Sequence, residues 1–301
     1  MAYHSTPAAP KLHKMKPLNL SYQIFDRNIT GLDWNTSADI KSLALHGWLD
    51  NAASFSVLSP FLKNINLLAI DLAGQGQSDF RSIDSSYGFL GELRDLYELS
   101  MQPSTQLTNG RINLVGHSRG AIVCTIFAAV FPERVNKLVL IDSIEPFPHA
   151  LSDMPNALAE AVKSNYSLAG RTGTYYATKE KALQARMDGL VPVSKHSAEL
   201  LAERSLLESE KGWTWRADQR LKAAYAYRIN NEMREDFYSR ITAPTLVIEP
   251  KNGMLKLDTR FKQAGSTISD LTKFEVPGGH HCHMEDCPKL VAELIEGWLS
   301  A

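Results

Sequence analysis

Residues Arg111 to Gly120 read Arg-Ile-Asn-Leu-Val-Gly-His-Ser-Arg-Gly. A short apolar run (Ile112, Leu114, Val115) leads straight into Gly116-His117-Ser118-Arg119-Gly120. A helical pattern starts at once, with Ile122, Ile126 and Val130 on one face and Val123 and Phe127 beside them. A strand, a Gly-x-Ser-x-Gly turn and a helix in that order are the context of a nucleophile elbow. The glycines let a strained turn lie against the neighbouring strand and helix. Ser118 is then lifted clear of the sheet at a helix N-terminus, where negative charge is favoured.

Outward from this turn, apolar runs alternate with helical segments. Leu18 to Phe25 and Ile29 to Trp34 read as an antiparallel opening pair, and Ser42 to Leu45 as a short buried strand ending at His46-Gly47. A helix over Ala52 to Leu62, a strand over Leu67 to Ile70 and a helix over Tyr87 to Ser100 precede the serine turn. The run Leu138 to Ile141 follows it. Strands spaced by helices in this way predict an α/β fold, a mostly parallel sheet with helices on both faces.

From Glu145 to Arg240 strand character fades. Ala157 to Ser164, Glu180 to Met187 and Ala198 to Glu208 read as helices, interrupted by the polar, aromatic patch Gly212-Trp213-Thr214-Trp215-Arg216. Strands return at Pro244 to Ile248 and Thr272 to Val276, and a last helix aligns Leu290, Val291, Leu294, Ile295 and Trp298. The expected division is a core domain from residues 1–144 and 241–301, with a helical cap from 145–240 inserted between sheet strands.

Bulk properties narrow the function classes. Hydrophobic content of 44% with 22% charged residues is that of a globular chain large enough for one domain plus an insertion. Lys+Arg 32 against Asp+Glu 33 leaves no basic block for nucleic acid. No run reaches the roughly 18 apolar residues of a membrane span. Met1 to Pro17 carries Lys11, Lys14 and Lys16 without an apolar stretch after them, and reads as a loose leader to the first strand, not a signal peptide. Cys124, Cys282 and Cys287 cannot build a disulfide framework, so a reducing cytoplasm is expected.

Four motifs, in their order along the chain, resemble the α/β-hydrolase superfamily. Leu45-His46-Gly47-Trp48-Leu49-Asp50-Asn51 is similar to its oxyanion-side loop, and Asp71-Leu72-Ala73-Gly74-Gln75-Gly76-Gln77-Ser78 to the glycine-rich loop after its fourth strand. Gly116 to Gly120 is similar to its elbow, and Pro277-Gly278-Gly279-His280-His281-Cys282-His283-Met284-Glu285 to its catalytic-histidine loop. The resemblance spans about Ser42 to Leu299 and implies an eight-stranded sheet. His-Gly-Trp-Leu-Asp-Asn and Gly-Trp-x-Trp-Arg most resemble the serine-hydrolase-like subgroup, relatives of esterases and haloalkane dehalogenases.

The resemblance implies a serine hydrolase of the carboxylesterase kind, acting on a small acyl substrate without cofactor or metal. A serine hydroxyl needs a base. His280, directly after Gly278-Gly279, matches the base loop, with adjacent His281 as its rival. The acid has two superfamily locations: Asp142 stands at the end of the Leu138 to Ile141 run, and Glu249 follows Leu246 to Ile248 where the pattern would place an Asp. Glu145 is a further candidate. Backbone N–H groups of Trp48 and Arg119 are expected to hold the oxyanion. Trp48, Trp213 and Trp215 are candidates to line the substrate pocket, the last two being equally suited to pinning the cap. The cluster His280, His281, Cys282, His283 and Cys287 has zinc-ligand chemistry, but no second Cys/His pair stands at suitable spacing elsewhere, and zinc would consume the base. His283 is expected to be a hydrogen-bonded structural histidine and Cys124 a core residue. The alternatives are C–C bond hydrolysis on the same fold and a non-catalytic ligand-binding protein.

Overall fold

The apolar stretches Ile65–Ile70 and Ile112–His117 become strands buried along their whole length, as central strands must be when helices cover both faces of a parallel sheet. The computed structural model describes residues 16–105, 107, 110–144, 154–225, 229–257 and 265–301. The leader up to Met15 lies outside them. In chain order the strands are β1 (Leu18–Ile24), β2 (Arg27–Trp34), β3 (Ile40–Leu45), β4 (Ile65–Ile70), β5 (Ile112–His117), β6 (Val135–Ile141), β7 (Leu206–Ser209), β8 (Gly212–Trp215), β9 (Thr245–Asn252) and β10 (Leu271–Gly279). The helices are α1 (Phe89–Met101), α2 (Arg119–Val130), α3 (Met154–Leu168), α4 (Lys179–Met187), α5 (Lys195–Ser205), α6 (Asn231–Arg240), α7 (Met254–Leu257) and α8 (Pro288–Ser300).

Eight strands form one sheet in the order β1-β2-β4-β3-β5-β6-β9-β10, antiparallel at β1–β2 and β2–β4 and parallel throughout the rest. This is the α/β-hydrolase architecture. Alternation along the central strands sorts their side chains into two cores. Leu43, Leu45, Leu114, Leu138 and Leu140 meet Leu96, Leu99 and Phe127 of α1 and α2. On the other face Ala44, Val115, Val139 and Ile141 meet Phe55, Leu58 and the α8 residues Val291 and Ile295. Helix α2 is apolar nearly all round because it is enclosed: every residue except Ile122 and Val130 is buried. Cys124 lies within it, and burial pushes its thiol pKa up.

Two local expectations differ from what forms. The helix expected over Ala52 to Leu62 is a pair of 3-10 turns, Ala52–Phe55 and Ser59–Phe61. Asn51 caps the first by accepting from the Ala53 N–H, and Pro60 cannot donate into a continued α-helical ladder. Helix α5 stops at Ser205, and the chain reverses as the β7–β8 hairpin, with Gly212 at φ 106 beside the turn. Between β6 and β9 the described chain therefore carries α3 to α6 and one hairpin. No described helix is long and apolar enough to cross a membrane.

The loops that follow β3, β5, β6 and β10 all leave the sheet at its carboxyl edge. They carry His46 to Asn51, Ser118, Asp142 and His280 respectively. In open α/β sheets that edge is where ligands bind.

Candidate active site

Ser118 bridges β5 and α2 with φ 53 and ψ −117, a left-handed conformation costly for a residue with a side chain. Its N–H donates to the Ile141 carbonyl at 3.1 Å, and its own carbonyl accepts from Ile122 at 3.2 Å. The flanking glycines follow from packing. A Cβ at Gly116 would strike the Ala121 backbone, and one at Gly120 would fall on the Leu45 carbonyl.

The structure brings Asp142 and His280 together. His280 Nδ1–H donates to Asp142 Oδ2 at 2.7 Å, which leaves Nε2 with its lone pair. Asp142 is fully buried, sits at φ 48, and also accepts the Met254 and Leu255 N–H groups at 2.7 and 3.1 Å. Gly253 is glycine because a Cβ there would occupy the position of the Asp142 carboxylate. Glu249 is engaged elsewhere, its carboxylate held by Lys256 at 3.3 Å and Lys273 at 3.5 Å. Glu145 lies outside the described residues.

His281, the rival base, is turned to another partner. Its Nε2–H donates to Asp50 Oδ2 at 3.2 Å, and the other Asp50 oxygen accepts from Arg186 of α4 at 2.8 Å. Burial alone would raise the Asp50 pKa, but His281 and Arg186 outweigh it and hold the carboxyl well below its ordinary range. His117 Nε2–H donates to the His280 carbonyl at 2.9 Å. Burial, together with the neighbouring histidines, keeps His117 neutral by pushing its pKa well down.

His283 is not hydrogen-bonded as expected. It is fully buried, neither ring nitrogen has a partner, and its ring packs on His117 at 4.2 Å and Phe55 at 5.5 Å between centroids. Burial lowers its pKa to about 3. Nor do the late-loop cysteines join the histidines: Cys282 is buried in the core under α8, and Cys287 donates its thiol proton to the Pro277 carbonyl. Among the described residues, the group able to share a ligand is His117, His280 and His281, one ring nitrogen of each lying within 4.8 Å of the others.

The loop after β3 is locked by His46, whose Nδ1–H donates to the Gly47 carbonyl at 2.7 Å while Nε2 accepts from Leu72 N–H at 3.0 Å. The Trp48 ring nitrogen donates to the Leu221 carbonyl at 3.0 Å. Arg119, the first residue of α2, has a backbone N–H without an intrahelical acceptor. Its guanidinium binds Glu92 through two 2.8 Å bonds, hydrogen-bonds Tyr225, and lies beside the stacked Phe89 and Tyr225 rings, 5.1 and 5.0 Å from their centroids.

These groups open onto a cavity of about 720 Å³. Ser118, His280, Asp142, Gly47 and Trp48 line it together with Trp215, Leu190 and Ile229. Trp213 is not among its lining residues, so of the two tryptophans for which lining and pinning stood as equal alternatives only Trp215 meets the cavity. Trp213 lies nearer the hairpin tip, pairs with the Tyr176 backbone, and places its ring under the Lys179 ammonium. Trp215 both lines the cavity and donates from Nε1 to the Ala182 carbonyl at 3.0 Å.

Sequence reasoning passed over Asp50, Arg186, Glu92 and Tyr225. Asp50 stood inside a quoted motif, and only its partners reveal its use. Arg186 and Tyr225 carry no local signal, since each meets the site across more than a hundred residues of chain.

This chain belongs to the alpha/beta hydrolase fold family, whose sequence pattern matches residues 43–286. It is 28% identical over 284 residues to the serine hydrolase-like protein of Danio rerio, covering 90% of this chain and 85% of that one. It is also 28% identical to serine hydrolase-like protein 2 of Homo sapiens, covering 90% of each. The crystal structure of a hypothetical protein from Pseudomonas aeruginosa PAO1 is similar at TM-score 0.85 and 32% identity, over 94% of this chain and 98% of that one. A thioesterase domain from the curacin biosynthetic pathway shares the fold at TM-score 0.80 and 21% identity, over 93% and 99%.

Proposed function

We propose that this chain is a cofactor-independent serine hydrolase that cleaves a carboxylic ester or related acyl bond through an acyl-enzyme. The observation that carries the reading is that one cavity is lined by both a serine at a strained elbow and a histidine oriented by a buried carboxylate. Ser118 Oγ attacks the acyl carbon while His280 Nε2 takes its proton. Asp142 fixes the tautomer that leaves Nε2 free and stabilises the imidazolium that forms. The backbone N–H groups of Trp48 and Arg119 hold the oxyanion, each contributing about 3 to 4 kcal/mol to the transition state. His280 then protonates the leaving alcohol or thiol, and water, activated by the same base, releases the acid.

A serine nucleophile argues against haloalkane dehalogenase chemistry, which needs a carboxylate to form an alkyl ester. The apolar walls favour an apolar acyl or alcohol group, with residues 145–240 acting as a cap over it. The serine hydrolase-like relatives agree with a hydrolase. The test is a fluorophosphonate probe. Labelling of the native chain that disappears in Ser118→Ala supports the enzyme, and no labelling of the native chain supports a binding protein. Turnover of β-diketones but not esters would move the assignment to C–C bond hydrolysis.

A further inference from the structure

We infer that His117, His280 and His281 form a binding site for a divalent transition-metal ion of the zinc type, and that the ion switches the hydrolase off by capturing its base. One ring nitrogen of each lies within 4.8 Å of the others, two of the rings are buried, and His280 faces the cavity from which an ion would arrive. Zinc–imidazole bonds of about 2.0–2.1 Å put the nitrogens of a tetrahedral site about 3.3–3.4 Å apart, so side-chain shifts of about an ångström close the set.

The surroundings of the three rings point the same way. Ligating histidines characteristically donate their second N–H to a carboxylate or backbone carbonyl, which fixes the ring and enriches the nitrogen that binds. Here His280 donates to Asp142, His281 to Asp50, and His117 to the His280 carbonyl. Each ring thus keeps one lone pair, and for His117 and His281 that atom, Nδ1, is buried without a hydrogen-bond partner. Burying an unpaired nitrogen costs free energy, which coordination through these Nδ1 atoms would recover. Asp50 and Asp142 supply negative charge next to the rings that an incoming dication would meet. Coordination forms metal–nitrogen dative bonds only, and no group is oxidised or transferred. With the His280 lone pair so occupied, Ser118 has no proton acceptor.

Metal binding stands independently of the hydrolase reading, whereas inhibition rests on it, so two readouts are needed. Zinc chloride titrated calorimetrically into the full chain is expected to bind with one ion per chain. His117→Gln and His281→Gln should each weaken that affinity at least tenfold, with circular dichroism reporting whether each variant folds. Should a variant fail to fold, Cu²⁺ electron paramagnetic resonance on the native chain decides: hyperfine coupling to several imidazole nitrogens supports the site, and its absence overturns it. Zinc should also slow fluorophosphonate labelling of Ser118 at least tenfold, and a chelator should restore it. No uptake at millimolar zinc, or unchanged affinity in two folded variants, overturns the proposal. Labelling that proceeds at full rate in the zinc-loaded chain overturns the switch, and absence of labelling without zinc overturns the hydrolase reading instead.

Discussion

Replacing Asp142 by Asn removes one charge and turns one acceptor into a donor. The native carboxylate accepts three N–H groups: His280 and Met254 on Oδ2, both at 2.7 Å, and Leu255 on Oδ1 at 3.1 Å. An amide has one oxygen for these three donors. If that oxygen takes the Oδ2 position, the His280 tautomer survives and the NH₂ opposes Leu255 N–H. If it takes the Oδ1 position, the NH₂ faces Met254 and His280 and drives the imidazole into the tautomer with its proton on Nε2. The first arrangement places the donor clash at the longer contact and is the one expected. What it loses is the attraction between carboxylate and imidazolium, about 4 kcal/mol for unit charges 4 Å apart at an effective dielectric near 20. That corresponds to a kcat lower by about a thousandfold, rising to about ten-thousandfold if the tautomer inverts. The unmatched donor costs a further 1–3 kcal/mol of stability on the order of a few degrees in Tm, so the variant still folds. Steady-state hydrolysis of p-nitrophenyl esters, with the rate of fluorophosphonate labelling, measures the effect. Asp142→Asn within tenfold of the native kcat, or Glu249→Gln losing as much, would refute the reasoning.

Gly120→Ala should destabilise by about 3 kcal/mol or more, because its Cβ meets backbone that cannot rotate away; chemical denaturation reads this directly. Glu92→Ala strands a buried guanidinium and should cost about 3–5 kcal/mol, a Tm drop of roughly 10 °C, whereas a shift under about 2 °C would contradict the burial of the pair. Trp215→Ala should raise KM for apolar esters about tenfold with little change in kcat, since the ring lines the cavity while its one described hydrogen bond goes to the Ala182 carbonyl; an equal fall in kcat would place it closer to the chemistry. Arg186→Met should lower Tm by several degrees, and adding Asp50→Asn should restore part of the loss in a double-mutant cycle.

The central sheet was readable because parallel strands covered on both faces must be largely apolar runs, and Leu67 to Ile70 of β4, Leu114 to Val115 of β5 and Leu138 to Ile141 of β6 are such runs. The serine turn was readable because packing demands its glycines. The β7–β8 hairpin was not. Leu206 and Leu207 continue the apolar spacing of α5, and the strand that follows is only four residues long. Gly212 was the overlooked sign, since its left-handed backbone sits where the chain turns back. The acid was narrowed to a short set of carboxylates; what sets their surroundings apart, the two lysines around Glu249 and the two amides around Asp142, no spacing reveals. His117 looked like the variable residue of a five-residue motif, and its place beside the late histidines appears only once β5 and β10 deliver their ends to one edge.

The bond from Arg186 to Asp50 bears on any attempt to transplant the insertion. Asp50 belongs to a loop of the sheet, yet the guanidinium beside it arrives from α4. A foreign insertion grafted between β6 and β9 inherits the recipient's buried anion and must bring a cation to the same spot. Chimeras that omit it should express poorly even when every residue touching Ser118 is retained. Exchange of insertions among relatives is therefore constrained at this position, and again at Asp71, whose buried carboxylate is held by Arg204 of α5.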